Sequence, residues 1–381
     1  MTLSRRKTLA LIGGGTIFAA SGAAGYAVTR TPQTALAPWA AAGGYSEPRM
    51  RALSYAILSP NPHNRQPWKV DLSTDGEVTL YVDTDRLLPH TDPFSRQIVI
   101  GLGCFLETLV LAAAQDGYGV ELDLFPDGED PSALDNRRVA VARFVQGKGV
   151  AEPVLFDQVM NRRSVKEPYD MSQPVADDTL AALEASVSIG SQVASTNADD
   201  KVQALRDLTV EAFKIEFLTP RTYKESVDLF RIGWREVNAN PDGIDFSGPM
   251  WEALHLTGQF TREGAIPVDS FPFTSGMEMV TGTAATGMAY IWLTTPGNSR
   301  TDQIIAGRDW MRLNLANTAL GVSMQPMSQA LQEFPEMAGP YAKAHEMLAP
   351  DGGTVQMLGR LGYGPEVPIS PRWALEEKIV G

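Results

Sequence analysis

The chain has 381 residues, of which 44% are hydrophobic, a formal net charge of −13 and a sequence pI of about 4.9. That length and apolar content support one large or two ordinary domains with substantial cores and exclude disorder as the default. The acidity argues against a sequence-independent grip on nucleic acid, which needs a basic face to neutralise phosphates. A single cysteine, Cys104, excludes an intrachain disulfide.

The first 30 residues form a separate unit. They carry Arg5, Arg6, Lys7 and Arg30 and no acid, and run uncharged from Thr8 to Thr29 through a Gly- and Ala-rich stretch of mild hydrophobicity. Paired arginines ahead of such a region read as a twin-arginine export signal, which places the protein in the periplasm or another extracytoplasmic space and makes the translocase a partner during export. A plain membrane-spanning anchor is the alternative, since about 20 residues cross a bilayer. Ala35-Leu36-Ala37 has the small-x-small form of a cleavage site, but Pro38 follows and hinders a peptidase. Membrane attachment is therefore expected only through this segment, and only if it is uncleaved.

Residues 31–46, rich in Ala, Pro and Gly, read as a linker. Met50, Leu53, Ala56 and Ile57 fit one face of a helix from Glu47 to Leu58, which Ser59-Pro60 ends. A loop carrying NPHNRQP follows, then a half-buried strand in which Val78, Leu80 and Val82 alternate with Thr79, Tyr81 and Asp83. Ile98 to Gln115 is too long and too apolar for a strand and reads as a buried helix closed by Gly117 and Gly119. Strands are expected at Val120–Leu124 and Arg138–Val145. The chain then starts again, with a helix at Val154–Asn161, the run Arg162-Arg163-Ser164-Val165-Lys166, and a helix at Lys201–Phe217. A variable region reaches about Phe273, followed by a strand at Met288–Thr294 and a long helix at Arg300–Leu320. Strand followed by long helix occurs in both halves without any residue-level repeat. The order of elements predicts two related α+β lobes, 47–150 and 151–381.

Most catalytic motifs are absent: there is no HExxH, CxxC, Walker sequence or GxSxG elbow. Gly101-Leu102-Gly103 lacks the third glycine of a dinucleotide fingerprint and reads as close packing. The four histidines have no metal-ligand spacing, so no metal site is expected. Two clusters remain. In His63-Asn64-Arg65-Gln66-Pro67-Trp68, amides that donate and accept sit in a loop stiffened by Pro60, Pro62 and Pro67, a pattern that suits the alternating edge of an isoalloxazine ring. Arg162, Arg163, Ser164 and Lys166 can converge on a phosphate. Each cluster has a bland reading beside it, a proline-rich structural loop and a solvated basic turn.

Together, SPNPHNRQPW at 59–68 and RRSVK at 162–166 resemble the FMN-binding elements of the nitroreductase superfamily. Their order, reversed from the usual one, resembles the Acg-like branch, in which two nitroreductase lobes are fused in one chain. The resemblance implies an α+β fold of two fused lobes, each with helices around a mainly antiparallel sheet, forming a pseudo-dimer with the pocket at the lobe interface. The chain itself would be a monomer or a homodimer.

The resemblance also implies FMN as cofactor, held by Asn64, Gln66, Pro67 and Trp68 at the ring edge and by Arg162, Arg163, Ser164 and Lys166 at the phosphate. Asp92-Pro93-Phe94-Ser95-Arg96 with the following helix is similar to the first-lobe pattern. Leu315 to Met327 is similar to the second-lobe helix end, whose following loop lies against flavin N5 and implicates Gln325, Met327 and Ser328. Ser370-Pro371-Arg372 resembles the C-terminal segment, with Arg372 completing the phosphate site. That branch often ends Pro-Arg-Arg, whereas Trp373 follows Arg372 here.

A flavin brings its own redox chemistry, so no catalytic acid or base is demanded and none is assigned. His63 reads as an ordered loop residue ahead of a proton donor. The expected activity is an exported FMN-dependent oxidoreductase working at flavin N5. Its partners are a small-molecule substrate, a quinone or a redox protein, with no nucleic acid. The alternatives are a protein that sequesters FMN without turnover and a structural protein with an empty site. The insert Asn240 to Phe273 reads equally as a lid or as a surface elaboration.

Overall fold

The computed structural model describes residues 30–381; the export-signal reading falls on residues outside them. Two four-stranded antiparallel sheets form the frame. The first contains β1 (Trp68–Asp71), β2 (Glu77–Val82), β3 (Tyr118–Leu124) and β4 (Arg138–Gln146) in the order β1-β2-β4-β3. The second contains β5 (Gln192–Thr196), β8 (Ala289–Thr295), β9 (Ser323–Pro326) and β10 (Thr354–Gly362) in the order β5-β8-β10-β9. Two short parallel strands, β6 (Phe230–Ile232) and β7 (Ile244–Phe246), pair in an insertion between β5 and β8. The strand orders are the same, and in each lobe a 20-residue helix links the second strand to the third: α3 (Arg96–Gln115) in the first and α6 (Arg300–Ala319) in the second. The two related lobes expected from the order of elements are present.

The long helices pack on each other and join the lobes. A Cβ on Gly103 would lie 2.4 Å from the Ile304 carbonyl oxygen, and one on Gly307 would lie 2.1 Å from that of Ile100. Each glycine thus meets the carbonyl three residues before the other, the reciprocity of a two-fold interface. Arg96 and Arg300, the first residues of the two helices, are both fully enclosed. Arg96 donates to the Gln356 and Leu331 carbonyls of the second lobe, at 2.6 Å each, while Arg300 donates to the Phe94 and Asp130 carbonyls of the first, at 2.7 and 2.8 Å. By length and composition α3 could cross a membrane, but it is the enclosed core helix of the first lobe.

The segment read as a linker is mostly helical. Here α1 (Gln33–Ala41) buries Ala35 and Trp39, and α2 (Pro48–Ala56) follows it as expected. Alanine favours a helix once tertiary packing rewards it, which the lack of periodicity concealed. The helix expected from Val154 shrinks to a single turn, Pro153–Phe156. The second lobe also has α4 (Asp177–Glu184) before β5 and α5 (Asp199–Leu218) at the start of its insertion. The rest of the insertion packs a small core of its own around Tyr223, Phe230, Phe260 and Phe273. After β10 the tail crosses back to the first lobe, where the Val380 N–H donates to the Val70 carbonyl on β1.

Candidate functional site

The loop before β1 is backbone-strained. His63, Asn64 and Gln66 all have positive φ, at 47°, 51° and 50°. Non-glycine residues pay of order 1–2 kcal/mol each for this region, a cost borne where surrounding contacts over-determine the conformation. Those contacts are visible. The Asn61 side-chain oxygen accepts from the Gln66 N–H at 2.7 Å, and Gln66 Nε2 donates to the Pro241 carbonyl at 2.6 Å. Gln66 Oε1 accepts from the Trp373 N–H, Asn64 Nδ2 donates to the Pro371 carbonyl, and Asn64 Oδ1 accepts from Arg372 Nη1 at 2.7 Å. Both amides are therefore spent on the chain's own tail and insertion. Their visible role is to place Arg372, and their pairing with a ring edge would require exchange of these bonds.

Trp68 is a core residue, fully enclosed and packed on Phe105 with ring centroids 5.1 Å apart. Pro67 is buried, and its carbonyl accepts from the Asp83 N–H. These two anchor the loop and offer no contact surface. The same holds for Met327, whose side chain is enclosed in the second-lobe core and whose N–H donates to the Leu358 carbonyl at 2.7 Å. Gln325 is buried and accepts from Arg360 Nε at 2.7 Å, whereas Ser328 is half-buried at the start of a 3-10 turn, Ser328–Leu331.

The basic residues do converge. Arg163 and Arg372 both face the Trp39 ring, with guanidinium carbons 5.0 and 5.7 Å from its centroid, and the fields of Arg162 and Arg163 both act on Arg372. Arg372 is clamped from behind, donating to the Leu58 and Ser59 carbonyls at 3.0 and 3.2 Å. Burial and mutual repulsion push the Arg162 guanidinium down to about 10 and that of Arg372 to about 9. Arg163 is likewise lowered, chiefly by burial, against a favourable field from Glu366. Among the described residues none of the three is ion-paired. Three of their N–H-bearing nitrogens, Arg162 Nη1, Arg163 Nε and Arg372 Nε, are buried without an acceptor. Like charges packed together with idle donors are costly unless an anion completes them. A phosphate monoester has the charge and the oxygens to do so, and the donor set fits the phosphate of FMN. Ser164 is half-buried beside them.

Lys166 leads away from this cluster. It is exposed, and desolvation by the surrounding protein lowers its pKa against a favourable field from Glu216. Its field helps depress the His63 imidazole to about 4, after the larger effect of burial, so His63 is neutral at pH 7. The field of Lys166 also reaches Glu216 of α5, a buried carboxyl pushed up to about 7, first by desolvation. Gln332 Nε2 donates to Glu216 at 2.8 Å. Sequence reading missed Trp39, Glu216 and Gln332. Glu216 left a signal: it continues the stripe Thr209, Ala212, Phe213 on the buried face of α5, where an acid is out of place.

No family model matches the chain. Two proteins of Mycobacterium tuberculosis, provisionally named NAD(P)H nitroreductases, are similar over most of its length. One is 24% identical over 340 residues, covering 86% of this chain and 89% of its own. The other, Acg, is 25% identical over 333 residues, covering 86% of this chain and 93% of its own. The FMN-dependent nitroreductase NfnB of Mycobacterium smegmatis, solved with NADPH, aligns with 58% of this chain and 96% of its own at 18% identity. Its TM-score of 0.37 is too low to carry an argument about fold. Two lobes with one strand order, joined through paired helices, define a fused pseudo-dimer. Over most of its length the chain is similar to these proteins named as nitroreductases, Acg among them, as SPNPHNRQPW and RRSVK indicated.

Proposed function

We propose that the protein is an FMN-dependent oxidoreductase. The observation that carries the reading is the trio Arg162, Arg163 and Arg372, whose buried N–H groups lack acceptors at the junction of both lobes. Bound there, FMN would supply hydride chemistry at N5. The chain's part is to bind the phosphate, order the ring and exclude water. Paired Arg162→Ala and Arg163→Ala substitutions should weaken FMN binding by roughly 100-fold or more, as expected for two charge-assisted contacts. Fluorescence titration of the flavin-free protein checks this, and an unchanged affinity would remove the phosphate assignment.

We further propose that the protein works outside the cytoplasm after twin-arginine export. Support comes from Arg5-Arg6 ahead of the uncharged stretch to Thr29, since this route carries proteins already folded around their cofactor. The electron donor is then a substrate, a quinol or a redox partner present in that space. Arg5→Lys with Arg6→Lys should hold the protein in the cytoplasm on fractionation; normal export of that variant would refute the route.

A further inference from the structure

Trp39 covers two of the three arginines, and the helix that carries it has little of its own to hold it there. α1 is nine residues long, has no side-chain cap at its N-terminus and contains Pro38. A helix that short is marginal in water, and a proline inside it removes the N–H that would pair with the carbonyl four residues earlier, here that of Thr34. Its two faces are unequal. Thr34, Ala37, Pro38 and Ala41, at the spacing of one helical stripe, line a cavity of about 190 Å³ whose other wall is Ser54, Ile57 and the tail. Ala35 and Trp39, one turn apart, are enclosed, and they are what seats the helix. The Ala35 N–H donates to Asn238 Oδ1 of the insertion at 3.0 Å, the Ala35 carbonyl accepts from the Arg372 N–H at 2.8 Å, and Trp39 Nε1 donates to the Ser370 carbonyl at 2.8 Å. Two of these three bonds run to the tail segment that carries Arg372. The indole ring meets the guanidinium carbons of Arg163 and Arg372 at 5.0 and 5.7 Å from its centroid. A guanidinium meets an aromatic ring best through its face, whereas its N–H groups lie in its plane. The contact therefore leaves Arg163 Nε and Arg372 Nε, both buried without an acceptor, able to meet an anion.

We propose that α1 is a retaining strap for the phosphate of the bound cofactor: Trp39 closes over Arg163 and Arg372 once the phosphate is seated, and must lift before it can leave. An anion among the arginines relieves their mutual repulsion and fixes the two guanidinium groups on which the ring rests. A seated ring in turn keeps water from the anion, which strengthens each charged contact. By linkage, whatever the phosphate gains from a closed strap the strap gains from the phosphate. Lifting is eased on the other side of the helix, where the cavity leaves few packed atoms to part. The three hydrogen bonds of Ala35 and Trp39, together with the ring's contacts to the arginines, therefore set how long the phosphate is held.

The inference rests on FMN occupying the site, and the experiment separates the two. Wild type, Trp39→Ala and Trp39→Phe are loaded with FMN and diluted, and release is followed by flavin fluorescence. Trp39→Ala should release FMN roughly tenfold faster than wild type, the size expected on losing a desolvated cation–π contact, and Trp39→Phe should recover most of the difference because it keeps a ring. Equal release rates in all three forms would overturn the strap and leave the cofactor reading standing. Failure of every form to take up FMN would overturn the cofactor reading and this inference with it. Amide hydrogen exchange of the wild type supplies a readout that a merely structural Trp39 would not move, and it decides alone if the variants do not fold. Exchange across residues 33–41 of the flavin-free protein should slow when FMN or inorganic phosphate is added; exchange that neither one changes refutes the proposal.

Discussion

The lobes share a strand order and a long helix but treat the loop before their first strand in opposite ways. Arg96 and Arg300 begin the two helices, an offset of 204 residues, and the same offset pairs Gly103 with Gly307 and Phe105 with Asp309. In the first lobe Phe105 packs on Trp68, and the preceding loop is left with three left-handed residues braced by the chain's tail. In the second lobe Asp309, fully enclosed, accepts from the N–H groups of Ser188, Ile189, Gly190 and Ser191 at 2.8–3.0 Å. One loop is held by side-chain packing and keeps its backbone strained beside the arginines; the other is pinned by a single carboxylate. Two lobes of one strand order thus fix their first loops differently, and RRSVK stands only ahead of the second.

The likeness breaks most sharply at the crossing of α3 and α6. Gly307→Val should prevent folding or destabilise by about 3 kcal/mol or more, because the new Cβ meets the Ile100 backbone, which cannot yield without parting the lobes. Denaturant melts check this, and a variant of unchanged midpoint would deny that the helices meet there. Next comes Asp309→Ala, which strands four N–H groups and should cost roughly 3 kcal/mol. A loss well below 1 kcal/mol would show that water replaces the carboxylate freely. The finest test is stoichiometry. With one arginine trio among the described residues, the protein should bind one FMN per chain, and a calorimetric end point of two would restore the symmetry in function as well as in fold.

Much of this was legible along the chain. The apolar run of α3, the alternation in β2 and the second strand-helix pair at β8 and α6 follow from local periodicity, which a helix or strand must show to bury one face. The two motifs marked a strained loop and a basic turn that the fold brings to Arg372. What local pattern could not show was how the amides of Asn64 and Gln66 are used: they hold a tail some 300 residues away. Nor did it show that Trp68 and Met327 serve the core, or that Trp39 in an Ala-rich stretch lies against two arginines.

Composition and pattern alone were enough for an acidic two-lobed α+β protein whose amide loop and basic turn resemble an FMN site, because propensity, periodicity and motif spacing are local properties. Three features required the folded chain: the reciprocal glycine contact, the convergence of Arg162 and Arg163 with Arg372, and the burial of Glu216 beside Gln332. All depend on contacts between residues far apart in sequence. Their energies come from desolvation and close packing, which exist only once both lobes have closed on each other.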